Sequence, residues 1–284
     1  MFYPALDVAK VDGELVLAAA DDYSPTAVEQ RDGFLTLFFP DRVRRDGARE
    51  AIACKWPLAV TTPREVDDED WARRSQQNLE PLTVGRITLF PNPRSLTPHP
   101  CKIAVVIEPS MGFGTGHHAT TRLCLEAMQT IDLAGTFVLD IGTGSGVLAI
   151  AARRLGARRA LGIDNDPDAI QAARANLRVN PGVGAVAFEE ADLTSWLAAP
   201  KIGPLPSEPQ PADVVTANLT GVVLVRAAGL LAASVVSGGS LIVSGLLAAE
   251  RDEVVAAFAS TGRLQVAGEL EEDGWVALIL KSQV

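Results

Sequence analysis

The stretch V-L-D-I-G-T-G-S-G, Val138 to Gly146, constrains this chain more than any other. It opens as an apolar β-strand, reaches Asp140 at the strand's end, and turns through Gly142, Gly144 and Gly146. The residues that follow, V-L-A-I-A-A-R-R-L, are apolar on a helical period and rich in Ala and Leu. Strand, glycine loop and helix make the first crossover of an open α/β sheet, where such sheets hold a nucleotide-like cofactor. Glycine suits the loop because the backbone turns there with φ > 0 and a ligand can lie against main-chain N–H groups.

The glycine spacing separates one cofactor from another. The dinucleotide fingerprint G-x-G-x-x-G fails from Gly142, where its last position is Val147, and from Gly144, where it is Ala149. An acidic residue followed by G-x-G-x-G is instead similar to motif I of S-adenosylmethionine (SAM) methyltransferases. SAM carries an α-amino group, a sulfonium charge and a ribose but no pyrophosphate, and a carboxylate near the loop suits those groups. A tight strand-to-helix turn without a ligand is the alternative for this motif taken alone.

Around the motif the chain changes rhythm. Residues 1–90 lack regular strand–helix alternation and read as a small α+β module. Its elements are a strand at Leu15 to Ala19, a strand at Gly33 to Pro40, a helix at Asp41 to Cys54 with Asp41 as N-cap, and a strand at Leu58 to Thr62. A helix entered through the acidic run Asp67 to Asp70 and a strand at Arg86 to Phe90 follow. Residues 91–102, with four prolines between Pro91 and Pro100, read as a linker. Residues 103–284 alternate strand and helix and close on R-L-Q-V-A-G-E-L and W-V-A-L-I-L joined by E-E-D-G, a hairpin signal. The expected fold is α/β: a doubly wound, Rossmann-like domain with a C-terminal antiparallel hairpin, preceded by the small α+β domain.

Strand ends carry the candidate site. Asp164 ends the second strand about 20 residues after the glycine loop, where a carboxylate can accept from both ribose hydroxyls. Asp166 is better placed to cap the next helix, with Pro167 at its first position. Asp192 lies past the third strand, on the side where adenine sits in this fold; capping the turn at Leu193 to Trp196 is its alternative. Asn218 closes the fourth strand, where its amide can accept from an amine N–H while a nearby backbone carbonyl accepts a second. Its alternative is to cap the following helix. His117 and His118 have no Cys or carboxylate at ligand spacing, so they read as helix entry and no metal site is expected.

Composition narrows the class. With 284 residues and 48% apolar content the chain can bury a large core. No apolar run is long enough to span a bilayer. The start, M-F-Y-P-A-L-D-V-A-K, has no basic n-region and no apolar h-region, so no signal peptide is expected. Three scattered cysteines without C-x-x-C spacing point to a reducing, cytoplasmic setting. A net charge of −10 disfavours direct nucleic-acid binding and suits a basic protein partner, though it also serves solubility alone. The expected state is a monomer with no membrane partner.

These motifs together resemble one family. G-F-G-T-G-H-H-A-T-T (Gly112 to Thr121), the glycine-loop block, L-G-I-D-N-D-P-D-A-I and D-V-V-T-A-N-L-T are similar to successive blocks of the ribosomal protein L-eleven methyltransferases (PrmA type). The segments Trp71 to Arg86 and Val236 to Leu247 resemble further blocks of that family, so the likeness covers about residues 70–284. Residues 1–66 match mainly at A-V-E-Q-R-D-G-F-L-T-L-F-F-P-D, and His117 and Ala119 stand where the family has Thr and Pro. The resemblance implies a SAM-dependent methyltransferase acting on lysine ε-amines and an N-terminal α-amine of a ribosomal protein. It implies SAM contacts from Thr121, Gly142, Asp164 and Asn218, and Asp140 and Gly144 of the glycine-loop motif are cofactor-binding candidates beside them. It also implies that Phe113 and the Gly114–Gly116 turn, with Thr115, cover the cofactor, and that the N-terminal module recognises the substrate. Two other readings stay open: methylation of another protein or a small-molecule amine, and a non-catalytic SAM-binding or scaffold protein.

Overall fold

The chain divides into two compact units, Met1–Asn78 and Leu79–Val284. The computed structural model describes residues 2–11, 16, 19–20, 23, 25, 27–31, 34–67, 80–96, 102–108, 118–192 and 211–283.

The first unit is built on an antiparallel sheet in the order β2-β3-β1-β4. Its strands are β1 (Phe2–Ala9), β2 (Ala27–Arg31), β3 (Phe34–Phe38) and β4 (Val60–Asp67). Helix α1 (Arg42–Lys55) lays Ala48 and Ile52 on Leu6, Val8, Leu35 and Leu37. Asp41 starts it by accepting the Arg44 N–H at 2.9 Å, satisfying one of the donors a helix start leaves open. Val16 and Ala19, expected in a strand, are helical; Val16 and Ala20, four residues apart, bury one helical face in the same core. Asp67, expected to open a helix, instead ends β4; residues 68–79 lie outside the described set.

The second unit begins with a three-stranded sheet, β5 (Leu82–Val84), β6 (Ile87–Phe90) and β7 (Ile103–Val106). β6 and β7 run parallel, Ile87 facing Ile103 and Phe90 facing Val106. Parallel neighbours need a crossover of about a dozen residues, and the proline-rich stretch from Pro91 to Lys102 supplies it. That stretch therefore joins two strands of one sheet, and the division between units falls before β5. Ile87, Leu89 and Val105 are buried in the same core as Val138 and Leu148, which ties these strands to the larger sheet.

The larger sheet has seven strands: β8 (Phe137–Ile141), β9 (Arg159–Asp164), β10 (Val186–Glu190), β11 (Ala212–Asn218), β12 (Val235–Leu247), β13 (Leu264–Glu272) and β14 (Trp275–Ser282). Their order is β10-β9-β8-β11-β12-β14-β13, the first five parallel to one another and β14 antiparallel to both of its neighbours, β12 and β13. The chain starts in the middle, winds out to β10, then reverses to β11, so the strand order switches between β8 and β11. Among the described residues the helices of this unit are α2 (Ala119–Gln129), α3 (Val147–Arg154), α4 (Pro167–Arg178), α5 (Gly221–Ala233) and α6 (Arg251–Ser260).

Alternation along the strands divides the core in two. On β8, Val138 joins the cluster with Cys124, Leu148 and Ile170, while Leu139 joins the opposite cluster with Leu224, Leu231 and Phe258. Truncating a buried Leu of either cluster to Ala should cost about 2–5 kcal/mol. Asp273 (φ 52°) and Gly274 (φ 77°) form the two-residue turn between β13 and β14, with Glu272 paired to Trp275. Both central residues at positive φ is the type I′ arrangement that Asp-Gly favours. Among the described residues, no helix is long and apolar enough to cross a membrane.

Candidate functional site

A cavity of about 710 Å³ lies at the C-terminal ends of the parallel strands, beside the switch between β8 and β11. That size is in the range of small-molecule sites. The glycine loop forms its floor, with Gly142 and Gly144 on the lining. Gly142 has φ +70°, and a Cβ there would meet the Leu219 Cδ2 at 2.5 Å, so only glycine fits without displacing that side chain. The loop's N–H groups are already engaged. Gly142 and Thr143 donate to the Ile163 carbonyl at 2.9 and 3.0 Å, and Gly144 donates to the Asp164 carboxylate at 2.9 Å. A loop whose donors are turned onto the neighbouring strand is no cradle for a pyrophosphate.

Asp164 lines the cavity at the end of β9. Its two oxygens accept the Gly144 and Asp166 N–H groups, at 2.9 and 3.1 Å, and each keeps further acceptor capacity. Asp166 is the N-cap of α4, accepting the Asp168 N–H at 2.9 Å, with Pro167 next. Capping therefore falls to Asp166, not Asp164. Asp192, exposed just beyond β10, lies on the same side of the cavity.

Asp140 stands elsewhere. It is 1% exposed and lies behind the loop instead of on the cavity. It accepts the Thr143 hydroxyl at 2.6 Å and the Thr216 hydroxyl at 2.7 Å, joining the glycine loop to β11. Burial pushes its carboxyl up to about 6, against the pull of those two hydroxyls. The sequence placed this carboxylate at the strand's end; strand alternation turns it onto the covered face with Val138.

Asn218 closes β11 and reaches the cavity. The following helix, α5, takes Thr220 as its N-cap, so Asn218 is not a cap. Its backbone is held by pairing with Ser244, and Leu219 donates to the Ser244 carbonyl at 2.9 Å. Gly245, at φ +88°, sits against the Leu219 backbone where any Cβ would collide. A Cβ there would also lie 3.1 Å from the Asn218 Oδ1, so the glycine leaves room for that amide.

The first turn of α2 supplies the opposite wall. His118 is its N-cap, with Nδ1 taking the Thr120 hydroxyl at 2.8 Å and the Thr120 N–H at 3.4 Å. Burial, then the charge of Arg122, holds the imidazole pKa below its ordinary value of 6.5. Thr121 is 1% exposed and lines the cavity, and its hydroxyl has no hydrogen-bond partner among the described residues. A buried hydroxyl left unpaired costs free energy unless a ligand meets it. Phe113, Thr115, Gly116 and His117 lie outside the described residues.

Several contributors escaped the sequence reading. Trp275 lines the cavity and meets the His118 ring edge-on, with centroids 4.9 Å apart. Leu219, Thr220 and Gly245 complete that end. Asn176, 2% exposed, donates to the Ser145 carbonyl and accepts the Glu108 N–H, both at 2.9 Å. It thereby ties the glycine loop to the segment leaving β7. Among the described residues no group of His, Cys, Asp and Glu is arranged to hold a metal ion.

The residues present fit SAM: two carboxylates on one side, a buried anion behind the loop, an orphaned hydroxyl, and loop amides unavailable to phosphate. Comparison with known proteins agrees. The family model described as Ribosomal protein L11 methyltransferase (PrmA) matches residues 38–283. The ribosomal protein L11 methyltransferase of Geobacter sulfurreducens is 41% identical over 284 residues, covering 98% of this chain and 87% of that protein. Its counterpart in Geobacter metallireducens is 42% identical over 227 residues, covering 80% and 70%. A crystal structure of ribosomal protein L11 methylase from Lactobacillus delbrueckii subsp. bulgaricus shares the fold, with TM-score 0.63 and 22% identity over 72% of this chain and all of that one.

Proposed function

The chain belongs to the ribosomal protein L11 methyltransferase (PrmA) family and is a SAM-dependent methyltransferase, and from that premise we propose that it methylates ribosomal protein L11. The acceptors are lysine ε-amines and the N-terminal α-amine. The observation that carries the site assignment is Asn218, an uncapping amide at the end of β11, on the cavity and beside the glycine loop.

Asp164 accepts from the ribose hydroxyls, and Asp192 faces the adenine side. Gly142 and Gly144 let the loop backbone approach the bound molecule, and the Thr121 hydroxyl gains a partner there. Asp140 places a negative charge behind the loop, which favours a cation in front of it. Bound SAM supplies a methyl group on a sulfonium, a leaving group that needs no acid.

The acceptor must arrive as a neutral amine with its lone pair on the methyl carbon. The Asn218 amide oxygen accepts one amine N–H and a nearby backbone carbonyl accepts another, which leaves the lone pair aimed along the transfer line. Positioning of this kind accounts for the larger part of the rate enhancement. No side chain is required as an obligatory base: the ammonium loses its proton to water before attack.

The first unit and the net charge of −10 serve the substrate. The docking module is residues 1–78 and the catalytic part residues 79–284, divided at the boundary of the compact units. An acidic enzyme attracts a basic ribosomal protein, and the cytoplasm is where the two meet. The test is incubation of the protein with SAM and purified large ribosomal subunits, with mass spectrometry locating the added methyl groups. Methylated lysines or a methylated N-terminus on L11 are expected; an unmodified L11 would remove the substrate assignment.

A further inference from the structure

The first turn of α2 and the tip of the β13–β14 hairpin are 150 residues apart in sequence and meet at two points. Arg122 Nε donates to both carboxylate oxygens of Glu272, at 2.9 and 3.0 Å. Its Nη2 lies 2.8 Å from the same carboxylate and 3.6 Å from Asp273. His118, one helical turn earlier on the same face, meets Trp275 edge-on. Glu272 and Trp275 are cross-strand partners flanking the Asp273–Gly274 turn. Two residues of one helix thus grip two residues of one hairpin, and His118 and Trp275 both line the cavity.

We propose that Arg122 is a positioning residue for methyl transfer, its ion pair with Glu272 setting Trp275 against His118 as the acceptor-side wall of the cavity. Exposure argues that the pair serves geometry. With the side chains 21% and 38% exposed, an ion pair adds little stability. A guanidinium fork on one carboxylate nevertheless fixes direction as well as distance. Sheet order argues for which step it serves. Asp164 and Asp192 follow β9 and β10 at one end, while Gly245 and Trp275 belong to β12 and β14 at the other. With the ribose and adenine at the first end, the wall at the second end faces the incoming amine. This inference rests on the methyl-transfer reading above.

Loosening the pair should therefore slow transfer and spare SAM affinity. The experiment compares Glu272→Gln, Arg122→Gln and the charge-exchanged double variant Arg122→Glu with Glu272→Arg. It measures SAM affinity by calorimetry and the single-turnover rate on L11. It also follows the fluorine resonance of Trp275 in protein labelled with 5-fluorotryptophan, assigned by its loss in Trp275→Phe. The single variants should transfer about tenfold more slowly, as expected for a displaced reacting geometry, with SAM affinity within about twofold of wild type. Their Trp275 line should move, and the exchanged pair should recover both line and rate. Wild-type rates in the single variants, or an unmoved Trp275 line, would overturn the proposal. If the wild type itself leaves L11 unmodified, the substrate assignment falls; the fluorine line needs no turnover and still decides the role of the pair.

Discussion

The Asp164 carboxylate accepts the backbone N–H of Gly144 at 2.9 Å, so the residue that ends β9 also holds the middle of the glycine loop. One side chain therefore shapes the floor of the cavity, and on the proposed function its remaining lone pairs take the ribose hydroxyls. Asp164→Ala should weaken SAM binding by about 1.5–3 kcal/mol, the worth of hydrogen bonds to a charged group. In dissociation constant that is roughly 10- to 150-fold. Calorimetry on the folded variant checks it, and NAD should not compete in the wild type.

Asp140 should oppose stability while serving the site. Its folded value of about 6 lies above the ordinary 3.8, so the folded chain binds this proton more tightly than the unfolded chain does. The stabilisation from this group is full below about pH 3.8 and is lost as the pH rises to about 6. By neutral pH the difference amounts to something on the order of 3 kcal/mol. Asn can keep both hydroxyl contacts, because the hydroxyls of Thr143 and Thr216 rotate. Asp140→Asn should gain stability over wild type progressively between about pH 4 and 6, then hold that gain, while binding SAM more weakly. Urea titrations across this window, paired with calorimetry, measure both; a constant stability difference would show that the carboxylate does not titrate there.

Turnover should follow the protonation of the acceptor. A lysine amine near its ordinary pKa of about 10.4 is neutral in only roughly one molecule in a few thousand at pH 7. With no obligatory base in the enzyme, the logarithm of kcat/KM should climb by about one per pH unit from pH 7 to 9. A plateau beginning near neutrality would reveal a group that takes the proton.

Truncation should separate catalysis from docking. A chain beginning at Leu79 keeps β5 and β6 and should fold, bind SAM and lose methylation of the protein substrate. A chain beginning near Cys101 should fail to fold well, because it lacks Ile87 and Leu89, both buried in the core of the second unit. It also strands Gln129, which donates to the Val84 carbonyl at 3.0 Å and accepts the Arg86 N–H at 2.7 Å. Raising salt should raise KM of the full-length enzyme for its basic substrate and leave SAM affinity nearly unchanged. L11 methylation by the Leu79 form at the full-length rate would refute a docking role for the first unit.

Much of this was legible in the sequence, for identifiable reasons. The Gly142, Gly144 and Gly146 spacing, the capping pair Asp166–Pro167 and the Asp273–Gly274 turn are local signals, set by backbone geometry within a few residues. They placed the doubly wound domain, its C-terminal hairpin and the strand ends Asp164 and Asn218. What the sequence hid depends on contacts between distant residues. The burial of Asp140 follows from which face of β8 the helices cover. Asn176 on α4 and Asn180, two residues beyond it, look like ordinary polar positions. Yet Asn180 accepts the Val106 N–H at 2.9 Å and donates to its carbonyl at 2.7 Å, across 74 residues. The parallel pairing of β6 with β7 has no local mark, so the prolines between them read as a linker. Trp275 reads as a strand residue until the hairpin folds it against His118.

The most direct test follows labelled methyl from prebound SAM to purified L11 in a single turnover, with wild type and Asn218→Ala side by side and a small primary amine as competing acceptor. Wild type should place the label on L11 amines in preference to the small amine. Asn218→Ala should lose far more in rate than in SAM affinity, transferring at least about a hundredfold more slowly, the scale on which misplacement of reacting atoms is felt. Label on the small amine with L11 unmarked, or an Asn218→Ala rate equal to wild type, would contradict the assignment of this cavity as the place where Asn218 aims an amine of L11 at the methyl group.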